Sequence, residues 1–170
     1  KPQVFEDTRG YFFESYNKEK LSDILGDIQF VQDNQSKSTK GTIRGLHYQL
    51  APYAQAKLIR VLEGKILDVV VDLRKKSPSY GKSFSIELSD ENKKQLFIPQ
   101  GFAHGFSVLS ETATVFYKTD QFYNPESERG INFNDTDLNI DWQIDINQAN
   151  VSTKDKVLPS FKEAETNFNF

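Results

Sequence analysis

The sequence contains no cysteine, no methionine, one tryptophan and only two histidines among 170 residues. Without cysteine there is no disulfide, no thiolate-bound zinc, no iron–sulfur cluster and no cysteine nucleophile. Two histidines leave little scope for an imidazole-rich metal site. No apolar run approaches the roughly 20 residues that a bilayer-spanning helix requires, so no membrane partner is expected. The 21 basic and 24 acidic side chains leave a net charge of −3, which offers no basic footprint for nucleic acid. The chain opens at Lys1 without a methionine and shows no signal-peptide apolar region. Residues ahead of Lys1 are therefore expected to be missing, and the cytoplasm is the expected location.

What remains favours β structure. One domain over residues 1–170 is expected, with room for a core and a ligand cleft. Aromatic side chains are frequent, with 14 Phe and 7 Tyr, and turn residues recur at short intervals. Leu67, Val69, Val71 and Leu73 alternate with Asp68, Val70 and Asp72, the pattern of a half-buried strand. Phe84, Ile86 and Leu88 repeat that pattern, as do Ala113, Val115 and Tyr117. Lys57 to Leu62 reads as another strand, ended by a turn at Glu63-Gly64-Lys65. Helix is sparse. Leu21, Ile24 and Leu25 share one helical face, with Gly26 placed as a stop. Ser152-Thr153-Lys154-Asp155 reads as an N-cap with an acidic residue at its third position, leading into a short helical tail. Many short strands and two short helices predict a β-sandwich or barrel with a less regular C-terminal lid.

Both histidines lie in glycine-flanked segments. In Gly41-Thr-Ile-Arg44-Gly45-Leu-His47-Tyr-Gln49, His47 and Gln49 are two apart and would share one face of a strand. Arg44 would face the other way unless a bulge at Gly45 intervenes. In Pro99-Gln-Gly101-Phe-Ala-His104-Gly105, the proline and glycine make a bend ahead of the strand carrying His104. These two segments resemble the paired motifs of the cupin superfamily, a jelly-roll barrel. The usual first motif has a second histidine where Gln49 stands, and a glutamate where Tyr53 and Ala54 stand. Two imidazoles and an amide make a poor zinc or non-haem iron site, so a metal-free pocket is expected.

Further segments narrow the resemblance. Asp7-Thr-Arg9-Gly-Tyr-Phe-Phe-Glu14, Val31-Gln32-Asp33-Asn34, Lys57-Leu-Ile-Arg, Phe116-Tyr117-Lys, Tyr123-Asn-Pro-Glu-Ser-Glu128-Arg-Gly and Ser152-Thr-Lys154-Asp155 follow in order around the two histidine motifs. Together they resemble the dTDP-4-dehydrorhamnose 3,5-epimerase family, from about residue 5 to residue 161. The resemblance implies a cupin-type jelly roll and inversion at C3 and C5 of dTDP-4-keto-6-deoxyglucose, without a cofactor. Such a reaction needs a base for the α-proton, a cation or donor for the enolate oxygen, and an acid on the opposite face.

By resemblance His47 is the base, Asp155 its orienting carboxylate, Lys57 the enolate partner and Tyr117 the acid. An imidazole of ordinary pKa, about 6.5, is largely neutral at pH 7 and accepts a proton readily. Arg9 and Arg44 are expected on the diphosphate, since guanidinium pairs bidentately with phosphate oxygens. Tyr123 is expected to stack on thymine. Glu14, Gln32, Asp33, Asn34, Glu128 and Lys154 fall where the family has substrate contacts, and His104 is implied as a sugar contact. Arg60, Arg74, Lys75 and Lys76 match no site motif and are expected to be solvated. The resemblance further implies a homodimer with exchanged N-terminal strands, in which Arg9 and Glu14 reach the neighbour's pocket. Left open by the motifs are an epimerase acting at C3 or C5 alone, a non-catalytic sugar-nucleotide-binding cupin, and a metal-dependent cupin oxygenase.

Overall fold

The computed structural model describes residues 1–170. Its strands are, in chain order, β1 (Val4–Asp7), β2 (Gly10–Phe13), β3 (Gln32–Thr39), β4 (Thr42–Gln49), β5 (Lys57–Glu63), β6 (Lys65–Asp72), β7 (Ser83–Ser89), β8 (Gln95–Ile98), β9 (Phe102–Val108), β10 (Thr112–Thr119), β11 (Glu128–Gly130) and β12 (Asn150–Val151). Two helices accompany them, α1 (Lys18–Leu25) and α2 (Thr153–Lys156). One sheet runs β3-β10-β5-β8 and the other β11-β4-β9-β6-β7, with β12 added in parallel to β4; β1 and β2 form a separate hairpin. No helix is long and apolar enough to cross a membrane.

The alternating patterns have their physical cause in two cores. Ile59, Val61, Ile66, Val70, Phe106, Val108, Ala113 and Val115 fill the space between the sheets. Leu67, Val69 and Val71 point the other way, into a second core with Tyr48, Ile131, Trp142 and Phe168. The expectation of a half-buried strand at Leu67–Leu73 is therefore corrected. Both faces of β6 are covered, and Asp68 and Asp72 are buried with the rest. Asp72 is fully partnered, whereas Asp68 is bonded through Oδ2 alone and its buried Oδ1 has no partner. Asp68 meets His104, while Asp72 accepts bonds from Arg74, Ser77 and Ser79.

Arg74 departs from the solvated role expected of it, since its guanidinium also lies 4.6 Å from the Phe102 ring centroid. Arg60 departs likewise, lying over Phe116 and Phe13. Lys75 and Lys76 are exposed, as expected.

The polar strand β3 has no apolar period to announce it. Gln32, Asn34 and Ser36 are its half-buried residues on one face, and Ser36 lines a polar cavity between the sheets rather than a core. Helix α1 starts at Asn17, whose side chain accepts from the Lys20 N–H, and stops at Gly26 (φ +75°). Helix α2 is a single turn capped by Ser152, whose hydroxyl accepts from the Asp155 N–H. The C-terminal lid is thus helical for one turn only. Residues 150–155 reach the inter-sheet cavity, whereas Phe161, Ala164 and Phe168 pack in or against the second core.

Register in β4 shifts between Arg44 and His47, which is the bulge that lets both side chains line the same cavity. Gly45 has φ +115°, and a Cβ there would stand 2.6 Å from both Gly105 Cα and the His104 carbonyl oxygen. Any side chain meets backbone that cannot swing aside, in a conformation L-residues rarely adopt. Gly45→Ala is expected to cost about 3 kcal/mol, a fall in Tm of ~6–12 °C on a thermal melt for a chain of this size.

Candidate active site

A cavity of about 430 Å³ opens at one end of the inter-sheet space. Three strands change character as they enter it. On β10 the inward series Ala113, Val115 ends in Tyr117; on β5 the series Val61, Ile59 ends in Lys57; on β9 the series Val108, Phe106 ends in His104. Apolar inner faces thus give way to ionisable ones at the same end of the sandwich.

His47 and His104 are directly opposed in the β4–β9 register. Each has its own carboxylate. His47 Nε2 lies 2.7 Å from Asp155 Oδ1, while Asp155 Oδ2 accepts from the Gly45 N–H at 3.3 Å. Burial would push the Asp155 carboxyl upward, but the bonds from His47, Gly45 and the Ser152 cap outweigh it and hold the pKa below the usual carboxylate value. His47 Nδ1 makes no protein hydrogen bond, so an Nε2–H donated to Asp155 leaves the Nδ1 lone pair free. His104 lies deeper, with Nε2 at 3.0 Å from Asp68 Oδ2. Burial lowers its pKa despite the Asp68 charge, so His104 is neutral at pH 7.

The facing sheet contributes Lys57 and Tyr117. The Lys57 ammonium is 5.9 Å from the Tyr117 ring centroid. Loss of water around it lowers its pKa to about 8, a shift that Asp68 and Glu128 oppose. Burial raises the Tyr117 phenol, and Arg44 opposes that shift. At pH 7 the lysine is therefore mainly charged and the phenol protonated.

Arg44 stands at the mouth, its Nε donating to Ser38 Oγ at 2.9 Å. Lys154 lines the same mouth and donates to Glu128 Oε2 at 2.5 Å; Tyr123 Oη donates to that same oxygen at 2.8 Å. Gln32 Oε1 accepts from the Tyr123 N–H at 3.1 Å, and Gln32 Nε2 donates to Asn34 Oδ1 at 3.0 Å. Tyr123 itself is 53% exposed.

Glu128, Tyr123, Gln32 and Asn34 stand outside the cavity lining and are joined to it through this chain of bonds from Lys154, whereas Asp33, Arg9 and Glu14 have no such link. Asp33 points to the outer face of its sheet, where Lys118 donates to it at 2.9 Å. Arg9 is fully exposed and paired with Asp7 in the β1–β2 hairpin. Glu14 accepts from Lys20 and Asn17.

Ser36, Thr42, Phe106, Asn150 and Ser152 line the cavity without having been expected there. Asp68 was missed as well, although an acid inside the run Ile66-Leu67-Asp68-Val69-Val70 is a readable sign of a buried polar pair. Gln49 was expected to share the inward face of His47. Its carboxamide instead bonds to Tyr53, Phe122 and Asn124 backbone. No group of three or more His, Asp or Glu side chains is arranged to hold a metal ion.

The family model described as dTDP-4-dehydrorhamnose 3,5-epimerase matches residues 1–163. The chain belongs to that family. An epimerase of this name from Shigella flexneri is 55% identical over 144 residues, covering 84% of this chain and 80% of the relative. The solved structure of the enzyme from Elizabethkingia anophelis is 55% identical and superposes with a TM-score of 0.91, covering 95% of this chain and 89% of that one. A Legionella pneumophila 3,5-epimerase, solved in complex with dTDP-4-keto-L-rhamnose, is 45% identical with a TM-score of 0.91, covering 95% and 86%. The two facing sheets of this family member are accordingly those of a cupin-type jelly roll.

Proposed function

We infer that the chain converts dTDP-4-keto-6-deoxy-D-glucose to dTDP-4-keto-L-rhamnose, an isomerase step in deoxysugar synthesis, with residues 1–170 acting as one epimerase unit. One observation carries the chemistry. The carboxylate-backed His47 belongs to one sheet and Tyr117 to the other, with the Lys57 ammonium beside Tyr117. A sugar ring between the sheets would meet a base on one face and an acid on the other.

In this reading His47 Nδ1 takes the proton from C3, next to the C4 ketone, and Asp155 stabilises the imidazolium that forms. The electron pair moves onto the C4 oxygen, where the Lys57 charge favours it in a poorly hydrated site. As the pair returns to carbon, Tyr117 delivers its proton from the opposite face, and C3 is inverted. The resulting phenolate and imidazolium exchange protons with solvent before the same cycle runs at C5. The carbonyl acidifies both positions, so no electron leaves or enters. His104, neutral and tied to Asp68, suits a sugar hydroxyl better than a charge. Arg44 and Lys154 suit the diphosphate, Tyr123 the thymine ring, and Gln32, Asn34 and Glu128 the surrounding polar contacts.

A homodimer belongs to the same proposal. Phe5, Tyr11 and Phe12 of the hairpin are 55%, 57% and 71% exposed, an apolar surface suited to a second copy. Exchange of these strands would carry Arg9 and Glu14 to the neighbour's cavity, and Asp33 would act on the outer face of its sheet. Light scattering at two ionic strengths tests it; a monomer at micromolar concentration would refute it. The cytoplasm is the proposed location, where activated nucleotide sugars are made.

Incubation with the 4-keto sugar nucleotide in D₂O tests the reaction. Deuterium is expected at both C3 and C5, with product inverted at both. Exchange confined to one carbon would reassign the chain as a single-site epimerase, and no exchange would leave only a binding protein. Tyr117→Phe should retain most deuterium uptake, because abstraction is intact, while inversion falls by about 10²-fold or more. Equal loss of both would remove Tyr117 from the acid role.

A further inference from the structure

We propose that Gln49 is a positioning residue that sets the loop around Tyr123 at the mouth of the cavity. This rests on the nucleotide-sugar reading above. Gln49 is 4% exposed and two residues from His47, yet its carboxamide is spent wholly on backbone. Its Nε2 donates to the Tyr53 carbonyl at 2.6 Å and to the Phe122 carbonyl at 3.3 Å, and its Oε1 accepts from the Asn124 N–H at 2.8 Å. One side chain thus joins the loop after β4 to both sides of Tyr123. A carboxamide can do this because it has two donors and an acceptor on one planar group. A neutral histidine, the residue the metal-binding cupin motif would place here, has one donor and one acceptor and must leave a carbonyl unbonded.

The loop needs such ties. Phe122 and Tyr123 are 64% and 53% exposed, so the two aromatic rings anchor it little by burial. Among its further bonds, the Tyr123 N–H donates to Gln32 Oε1, Gln55 Nε2 and Thr119 Oγ1 donate to the Gln121 carbonyl, and the Ser127 N–H donates to Asn124 Oδ1. Beneath the loop Gln49 faces Glu128 in the β4–β11 register, and Glu128 receives the Tyr123 hydroxyl. Gln49 therefore fixes the backbone while Glu128 fixes the phenol end. The residue is held from both ends and stays more than half exposed. A pre-set ring spares a ligand the ordering of the loop, so the effect of Gln49 should fall on affinity more than on proton transfer.

Gln49→Met keeps the volume and removes the donors. Calorimetry with dTDP alone should show binding about tenfold weaker. With the ketosugar, KM should rise by a similar factor with a smaller change in kcat. In a Tyr123→Ala background the same substitution should add less than about twofold, since both act through one ring. In the unmodified protein the Asn124 amide should exchange slowly with deuterium, a measurement that stands even if Gln49→Met fails to fold. Rapid Asn124 exchange, a fully additive effect with Tyr123→Ala, or a loss confined to kcat would overturn the inference. Binding that Tyr123→Ala weakens and Gln49→Met leaves unchanged would overturn it alone. No dTDP binding by the unmodified protein would overturn the nucleotide-sugar reading as well.

Discussion

His47→Ala should lower deuterium uptake at C3 and C5 by about 10²–10⁴-fold, with dTDP binding retained. The expectation follows from a division of labour in the cavity. His47 lines it with one ring nitrogen free of protein hydrogen bonds, whereas His104 is buried and neutral against Asp68. Removing the first imidazole leaves no second base in its place, because the His104 site disfavours the imidazolium that proton abstraction would create. Asp155→Asn should give a smaller loss, since the ring remains but its cationic form loses a charge 2.7 Å away. NMR of the recovered sugar nucleotide measures both. Unchanged uptake by His47→Ala would assign the base to another group.

Lys57→Met should cost about 10²–10³-fold in kcat, the range seen when a preorganised oxyanion partner is removed. The pH profile separates this role from a structural one. Burial lowers the ammonium to about 8 while Asp68 and Glu128 work against that shift. The active species is the charged one, so rate should be level near pH 7 and fall with rising pH through a midpoint near 8. The sign matters for stability as well. Folding lowers this pKa, so the unfolded chain binds the proton more tightly and stability from this group rises with pH between about 8 and 10.5. Activity and stability therefore run in opposite directions over that interval. Lys57→Arg should move the alkaline limb upward, because guanidinium stays charged there. A limb that stays near 8 in Lys57→Arg would place the titration elsewhere.

Much of this site was readable in the residues, and the gaps have physical reasons. Period-two alternation located β6, β7 and β10 because each has at least one face against a core, and the turn at Glu63-Gly64-Lys65 marked the end of β5. It could not show that β6 is covered on both sides, since that depends on the C-terminal residues folding back onto the sheet. Strand β3 escaped the pattern altogether because its inner face borders a polar cavity, so no apolar residues mark it. Sequence spacing set Arg44 and His47 on opposite faces; only the register shift at Gly45 brings them together. The Asp155–His47 pair joins residues 108 positions apart, a distance at which only family resemblance could suggest a contact. Gln49 was visible as a departure from a metal-binding motif, but the backbone groups it serves lie on loops whose paths no local pattern encodes.

Phe168 gives the molecule a dependence that lies outside the cavity. It is 1% exposed, lies in the second core and meets the Tyr48 ring edge-on; the Tyr48 hydroxyl donates to the Glu165 carbonyl. Tyr48 is the chain neighbour of His47, and its side chain leaves the opposite face of β4. The strand bearing the base is therefore buttressed from behind by a segment more than a hundred residues away. A lesion among residues 157–170 would shift the imbalance of forces on β4 and disarm the enzyme while every group that meets the sugar stayed chemically intact. Damage there would look like a catalytic defect and be, in origin, a failure of the foundation.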